Sequence, residues 1–425
     1  MRRSLILFII VACTMPTWAA SSQTRTTGEL LVGITPRSIA MGETGLIGST
    51  SPLDALANPA QYALFGKGLR FEVTGMVPQN IESRSFPIYD SFDGILNYNQ
   101  YVSNSMGNAK FAAGGVFTMK SESGKIWTVA LATKPLVDYD YKYYEEIRDR
   151  FSTGGQQDRV LGRVEDKTDG TRRWTGIAVA APVWKSLTAG ISVGMVSGSI
   201  ESKSVFSRDL PSDSTGIIEM TSDPDNAQLE SRLGFTYQIN DRLSTGLQVT
   251  HRGDWNDKVT IDTTTATYHS NTSFIVNRTY PMSIGAGFEY LPGQMLRSRF
   301  LAEIEWTNWK EATLSSVPQN LENTLEFRVG VEHRVLPEVP VRFGYRYSPS
   351  PFDKEYALSY LSVGTGYDHG AWATDFALQF GHLKSKGADP VADNLFGGLP
   401  RNDMDNVQDR YFRFAFGVSY KFGQE

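Results

Sequence analysis

From Leu69 to the C-terminus the chain repeats one pattern: short segments in which apolar residues alternate with polar, charged or small ones. Successive side chains of a strand point to opposite faces, so each such segment predicts a strand with one greasy face. Residues 410–422 set Phe412, Phe414, Phe416, Val418, Tyr420 and Phe422 against Arg413, Ala415, Gly417, Ser419 and Lys421. Residues 325–335 set Leu325, Phe327, Val329, Val331, His333 and Val335 against Glu326, Arg328, Gly330, Glu332 and Arg334. Residues 339–347 and 372–381 follow suit, with Arg342, Gly344, Arg346, Asp375 and Gln379 on the second face. About fourteen strands are predicted, at 69–77, 109–119, 125–141, 172–183, 187–203, 229–239, 243–265, 280–291, 297–310, 323–335, 339–348, 357–368, 371–385 and 410–422. The same stretch contains no convincing amphipathic helix.

The second face is charged, which decides between architectures. A packed sandwich core cannot hold that many charges, whereas the lumen of a transmembrane barrel can, with the apolar face turned to lipid. Loop lengths agree. Connections after even-numbered strands are short (120–124, 240–242, 336–338, 368–370), and those after odd-numbered strands include 78–108, 142–171, 204–228 and 386–409. Short turns at one rim and long loops at the other are what an outer-membrane barrel with periplasmic termini requires. Trp174, Trp184, Trp306, Trp309 and Trp372 fall near predicted strand ends, where an interfacial aromatic girdle would place them.

Composition is compatible with this picture. The 425 residues are 40% hydrophobic, enough when only alternate residues meet lipid. Beyond the first twenty residues no apolar run approaches the roughly 18 needed for a spanning helix. The formal charge of −5 becomes −7 once Arg2 and Arg3 are removed with a leader, which argues against nucleic acid as a partner. That leader is residues 1–19, with a basic start, an apolar stretch from Leu5 to Ala12 and small residues at Thr17 and Ala19. The protein is therefore expected to be exported to the cell outer membrane. Its single cysteine, Cys13, lies inside the leader, so no disulfide is expected; cleavage before Cys13, leaving it lipidated, is the alternative to cleavage after Ala19.

Residues 20–67 precede the barrel (68–425) and are too apolar for a solvated tail. Ile39, Met41 and Leu46 stand among glycines, and residues 52–58 suggest a short helical turn ending at Asn58-Pro59-Ala60. Such a segment can fold into the lumen as a plug; a periplasmic extension is the alternative. Two regions, RSIAMGETGLIGSTSPLDALANPAQYA and the run from EIEWTNWKEATL through LEFRVGVEHRV, VPVRFGYRYSPSPF and LSVGTGYDHGAWATDFALQFG, together resemble the FadL/TodX-type outer-membrane transporters of long-chain fatty acids and other hydrophobic compounds. The resemblance covers nearly half the chain. It implies an all-β, fourteen-stranded transmembrane antiparallel barrel plugged by an N-terminal hatch. It further implies diffusion-driven uptake, with a hydrophobic ligand captured outside and released laterally through the wall.

Several residues are candidates for that activity. Asn58, Pro59 and Ala60, with Met41, Gly42 and Gly45, are the hatch or gating residues that the resemblance points to; the alternative is that the glycines serve turns alone and Asn-Pro breaks a helix. The family's lateral opening goes with a kink in its third strand, and here the third predicted strand carries Pro135. Proline cannot donate to a ladder, so it marks either a gap in the wall or the strand's outer end. Phe86, Ile88, Tyr89, Phe92, Ile95 and Leu96 in the first long loop are capture candidates. Inward Arg328, Arg342, Arg346 and Arg413 can hold a ligand carboxylate, or pair with Glu303, Glu305, Glu326 and Glu332 as a structural network.

An enzyme is the least favoured class. There is no Gly-x-Ser-x-Gly elbow, and the five histidines show no metal-ligand spacing, so neither cofactor nor metal is expected. The expected partners are a hydrophobic small molecule, outer-membrane lipid and the barrel assembly machinery, the last because the final strand ends in aromatics; a monomer is expected. The rival reading is a non-transporting barrel that serves as a secretion or docking partner, like the carrier barrels of the type IX pathway.

Overall fold

The computed structural model describes residues 28–120, 126–149, 159–208, 214–293, 297–315, 317–353, 355–391, 393–397 and 403–422. The leader with Cys13, the first hatch residues, residues 121–125 and the last three residues lie outside these. Fourteen antiparallel strands form the wall: β1 (Gly68–Tyr89), β2 (Lys110–Lys120), β3 (Ile126–Asp138), β4 (Arg159–Pro182), β5 (Leu187–Ser197), β6 (Gln228–Asn240), β7 (Leu243–His251), β8 (Ser283–Tyr290), β9 (Ser298–Thr307), β10 (Thr324–Leu336), β11 (Val339–Pro349), β12 (Ala357–Asp368), β13 (Trp372–Gly387) and β14 (Asp405–Phe422). Each pairs with the next, and β14 returns to β1 in a ladder from Leu69↔Phe422 to Ser85↔Asn406. The sheet is a closed transmembrane barrel.

Alternation sorts the side chains as the pattern requires. Phe412, Phe414, Phe416, Val418, Tyr420 and Phe422 lie on the exposed outer face, while Arg413 and Ala415 are buried in the lumen. The outer rings interlock across strands: Phe376 with Phe416 at 4.8 Å, Phe380 with Phe412 at 5.2 Å, Phe71 with Phe422 at 6.0 Å. Of the five strand-end tryptophans, Trp184 and Trp372 are exposed, but Trp174 is not a girdle residue. It points inward, where the missing side chains of Gly176 and Gly194 make room for its ring and its indole N–H donates to the Glu230 carbonyl at 3.3 Å.

Two predicted strands are broken in the structure. Residues 187–203 divide at Gly198 (φ 122°) and 243–265 divide at Gly253 (φ 62°), positions where only glycine turns the chain cheaply. Beyond the breaks the long loops build a second sheet at one rim. Tyr141–Asp149, the first half of β4, Ile200–Arg208, Ser214–Pro224, Asp254–Thr265 and Tyr268–Thr279 pair in succession. Ile95–Gly107 pairs with the second half of β1. Under this cap Val102, Tyr141, Tyr143, Ile147, Leu161, Val164, Val391 and Phe396 form a core of their own.

Since lipid is the solvent of the outer face, Phe416→Arg should cost about 2–4 kcal/mol. The drop is expected in urea unfolding in bilayers, and an inward substitution such as Ser362→Thr should leave the midpoint unchanged.

Candidate functional site

The hatch, residues 28–67, fills the lumen. Thr35 caps a short helix α1 (Pro36–Ala40) by accepting from the Ser38 N–H, and proline at the first helical position suits a place where no N–H is needed. The chain then reverses at Gly42 (φ 71°) and Glu43 (φ 64°). A 3-10 turn follows at Asp54–Leu56 and a second at Pro59–Leu64. Asn58 does not end the first turn, as the sequence suggested, but opens the second: its Oδ1 accepts from the Ala60 N–H at 3.1 Å. The Asn58 Nδ2 donates to the Leu46 carbonyl (2.8 Å) and, across to β6, to the Phe235 carbonyl (3.1 Å).

Wall glycines bring the hatch backbone close. A Cβ on Gly344 of β11 would overlap the Gly42 nitrogen, and one on Gly234 of β6 would run into Asn58 Oδ1. Gly190 stands against Pro59, Gly330 against Met41 and Gly417 against Pro36. Met41, Asn58 and Ala60 are completely buried. The Gly45 and Leu46 N–H groups donate to one oxygen of Glu303, at 2.9 and 2.8 Å.

The lumen has two unlike halves. On the β9–β14 side it is ionic. Glu43 takes Arg346 on one oxygen (2.7 Å) and Arg413 on the other (2.8 Å), and Arg413 also reaches Glu29 at 2.9 Å. Arg328 lies between Glu305 and Glu326 (2.7 and 2.8 Å), and Arg342 between Glu332 and Asp375 (2.7 and 2.5 Å). Arg37 of the hatch joins Glu332 at 3.2 Å and Asp54 at 3.4 Å. All four arginines considered for a ligand carboxylate therefore have protein carboxylates as partners, two of them supplied by the hatch. On the β2–β5 side an apolar cluster meets the hatch: Leu53, Leu56, Tyr62 and Phe65 pack with Ala132, Leu136, Trp174, Val196, Trp255 and Tyr280, while the ion pairs there, Lys110 with Asp138 and Asp140 and Arg172 with Asp257, join residues outside the hatch.

The wall breaks on the apolar side. The β2–β3 ladder runs from Lys120↔Ile126 only as far as Ala113↔Thr133, so Lys110, Phe111 and Ala112 have a partner in β1 but none in β3. At this level β3 bulges between Pro135 and Val137, and Lys134 to Asp138 are all buried. The strand has turned into the lumen. Its vacated edge is taken by the hatch, with Glu29↔Asp138 and Leu30↔Val137 paired and the Leu31 N–H donating to the Leu136 carbonyl at 2.9 Å. Proline lacks the N–H that a regular strand would offer here, which lets the ladder end without an orphan donor at position 135. A small cleft opens beside the break between Glu29, Pro78, Met106, Gly107, Asp138 and Arg413.

Over the cap stands the hairpin tip at 88–98. Phe92 is 89% exposed and Leu96 67%, with Ile88, Tyr89 and Ile95 also exposed, whereas Phe86 packs on Tyr101 at 5.9 Å. Asp90 stiffens the tip by accepting from the Phe92 and Gly94 N–H groups, each at 2.8 Å.

Neither a family model nor a curated protein matches the sequence. Solved structures do. A Pseudomonas aeruginosa FadL homologue superposes with a TM-score of 0.63 at 14% identity, over 93% of this chain and 100% of that one. The Ralstonia pickettii toluene transporter TbuX gives 0.60 at 16% identity (92% and 99% covered), and the monoaromatic hydrocarbon channel CymD 0.59 at 14% (93% and 99% covered). The chain has the fold of these FadL-type channels. At such low identity the likeness concerns architecture, and the site must be argued from its own residues. Among them, the hatch strand at Glu29–Leu30 and the wall glycines opposite the hatch escaped the sequence reading; small residues recurring on the inward face were the available signal for the second.

Burial drives the Glu43 carboxyl up and Arg346 and Arg413 drive it down; the guanidiniums win, holding it below the usual carboxylate range. A group whose pKa is lowered by folding contributes fully above its unfolded value and loses that contribution as the pH falls through the folded one. Acidification from about pH 4 downward is therefore expected to loosen the hatch, seen as faster hydrogen exchange in residues 33–46. Glu43→Gln should bring the same loosening at neutral pH, at a cost of about 3–5 kcal/mol for removing one carboxylate from its buried pairs with Arg346 and Arg413.

Proposed function

We propose that the protein is an outer-membrane channel for diffusion-driven uptake of a hydrophobic, fatty-acid-like compound, which enters at the capped rim and leaves sideways through the break between β2 and β3. The observation that carries this reading is the interrupted ladder at Ala113↔Thr133, replaced by a two-residue hatch strand. A barrel that served only as a wall or docking post would have no use for an open seam, since unpaired backbone is costly where lipid is the surrounding solvent. The seam also adjoins the apolar half of the lumen, so a greasy solute need not cross the ionic half.

In this scheme the exposed tip residues Ile88, Tyr89, Phe92, Ile95 and Leu96 collect the solute from water. The hatch does the sealing. Met41, Gly42, Gly45 and the Asn58-Pro59-Ala60 turn hold its backbone against the wall, Arg346 and Arg413 hold its carboxylates, and Arg328 and Arg342 are engaged by carboxylates of the wall, so gating falls to the short strand at Glu29–Leu30 and to Pro135. The same apolar tip would suit a secretion partner, and the two readings differ in outcome.

Straightening β3 by Pro135→Ala is expected to leave a folded, heat-modifiable barrel and to cut uptake of a radiolabelled long-chain fatty acid by cells severalfold. Uptake at the wild-type rate would remove lateral release from the scheme. Phe92→Asp with Leu96→Asp should lower uptake at limiting ligand and spare the maximal rate; protein co-purification with no uptake in any variant would favour docking.

A further inference from the structure

Two cations bracket the wall break, one on each side. Lys134 points into the lumen and is only 3% exposed, yet it has no hydrogen bond or ion pair among the described residues. The groups that face it are Glu230, Arg232, Arg252 and Glu305. Their carboxylates are engaged: Glu230 holds Arg232 at 3.0 Å and Arg252 at 2.9 Å, and Glu305 holds Arg328 at 2.7 Å. The nearby Asp138 and Asp140 are both bound by Lys110, at 2.9 and 2.6 Å. A buried ammonium beside apolar Ala132, Leu136 and Trp174 is unfavourable unless an anion visits it.

Arg173 is register-paired with Pro135 and lies on the outer face of the wall. Its guanidinium crosses the bent strand, donating to the Phe111 carbonyl of β2 at 2.8 Å and to the Thr133 hydroxyl at 3.4 Å. It thereby covers, from the lipid side, a carbonyl that β3 no longer pairs. Below it on the outside run Thr133, Leu131, Val129 and Trp127, the last three exposed to lipid. Arg173 thus stands at the polar border of the apolar belt.

Resting on the uptake reading above, we propose that the break is a headgroup-selective exit built for a long-chain amphiphile with a single carboxylate. Lys134 receives the carboxylate inside the barrel. The acyl chain passes between β2 and β3 and lies down along Leu131, Val129 and Trp127, while the carboxylate exchanges to Arg173 at the membrane border. Lysine, a compact charge on a flexible stem, suits the buried, transient contact, and arginine's planar fork suits release beside a carbonyl it already binds. Lys134 and Arg173 are positioning residues for the ligand headgroup, distinct from the arginines that secure the hatch.

The full-length protein in detergent, titrated with palmitate and with hexadecanol, tests the first step. Wild type should bind palmitate at least tenfold more tightly, about 1.4 kcal/mol. Lys134→Met should bring the ratio near one with hexadecanol affinity unchanged, and Lys134→Arg should restore most of the preference. In proteoliposomes Arg173→Gln should slow palmitate release severalfold without altering hexadecanol release or equilibrium palmitate binding. Equal binding of the two ligands by wild type, or an unchanged ratio in Lys134→Met, overturns this inference and leaves uptake standing. Failure of wild type to bind either ligand overturns both.

Discussion

The constraint on which the structure depends is that lipid offers no partner to a peptide group. Every N–H and C=O at membrane depth must be met from within the chain, which is why the sheet closes on itself. The β1–β14 ladder completes that closure, and the seam between β2 and β3 departs from it. There the exposed backbone is met by substitutes: a hatch strand on the edge of β3, a guanidinium on the carbonyl of Phe111. A defect so specifically covered is built into the wall, and under the proposed function it sets the direction in which a solute travels.

The two halves of the lumen divide the labour. Buried ion pairs add little net stability over apolar packing, but breaking one is costly, so they suit an element that must stay seated. Glu43, clasped by β11 and β14, and Arg37, clasped by β10, place the hatch in one orientation. Wall glycines add contact without adding a side chain that would hold the hatch away. The opposite half, lined by Leu53, Leu56, Trp174 and Trp255, has no ion pair between hatch and wall among the described residues but hydrogen bonds such as those of Glu72 and Arg232 to the hatch backbone, and faces the seam. Rigidity on one side and apolar packing on the other are what a plug needs if it must stay in place while something passes it.

How much of this could be read from the chain follows from which patterns are local. Phe412 to Phe422 declare an outward face by alternation alone, and the fourteen wall strands fall close to their predicted places for that reason. Inward Arg328, Arg342 and Arg346 were visible as charges, and so were their wall partners Glu305, Glu326 and Glu332, but the hatch partner of Arg346 was not, because Glu43 lies some three hundred residues away in the chain. Trp174 obeyed the same alternation and was misread, since a tryptophan at a strand end looks alike whether it faces lipid or two glycines on neighbouring strands. Pro135 announced a disturbed strand. Nothing in GELL announced that Glu29 and Leu30 would supply the missing edge, for two residues carry no periodicity.

The chain closes its circle by zipping the last strand to the first, and that last strand brings Arg413, whose two carboxylates, Glu29 and Glu43, belong to the hatch. Once the circle is shut, those contacts are enclosed by wall and cap. The hatch must then be seated before the final seam is sewn, serving as the mandrel around which the cylinder is formed rather than as a cork pushed in afterwards. Assembly and the proposed passage of solute thereby share one set of residues, and a chain that assembled without its hatch would close around the wrong interior.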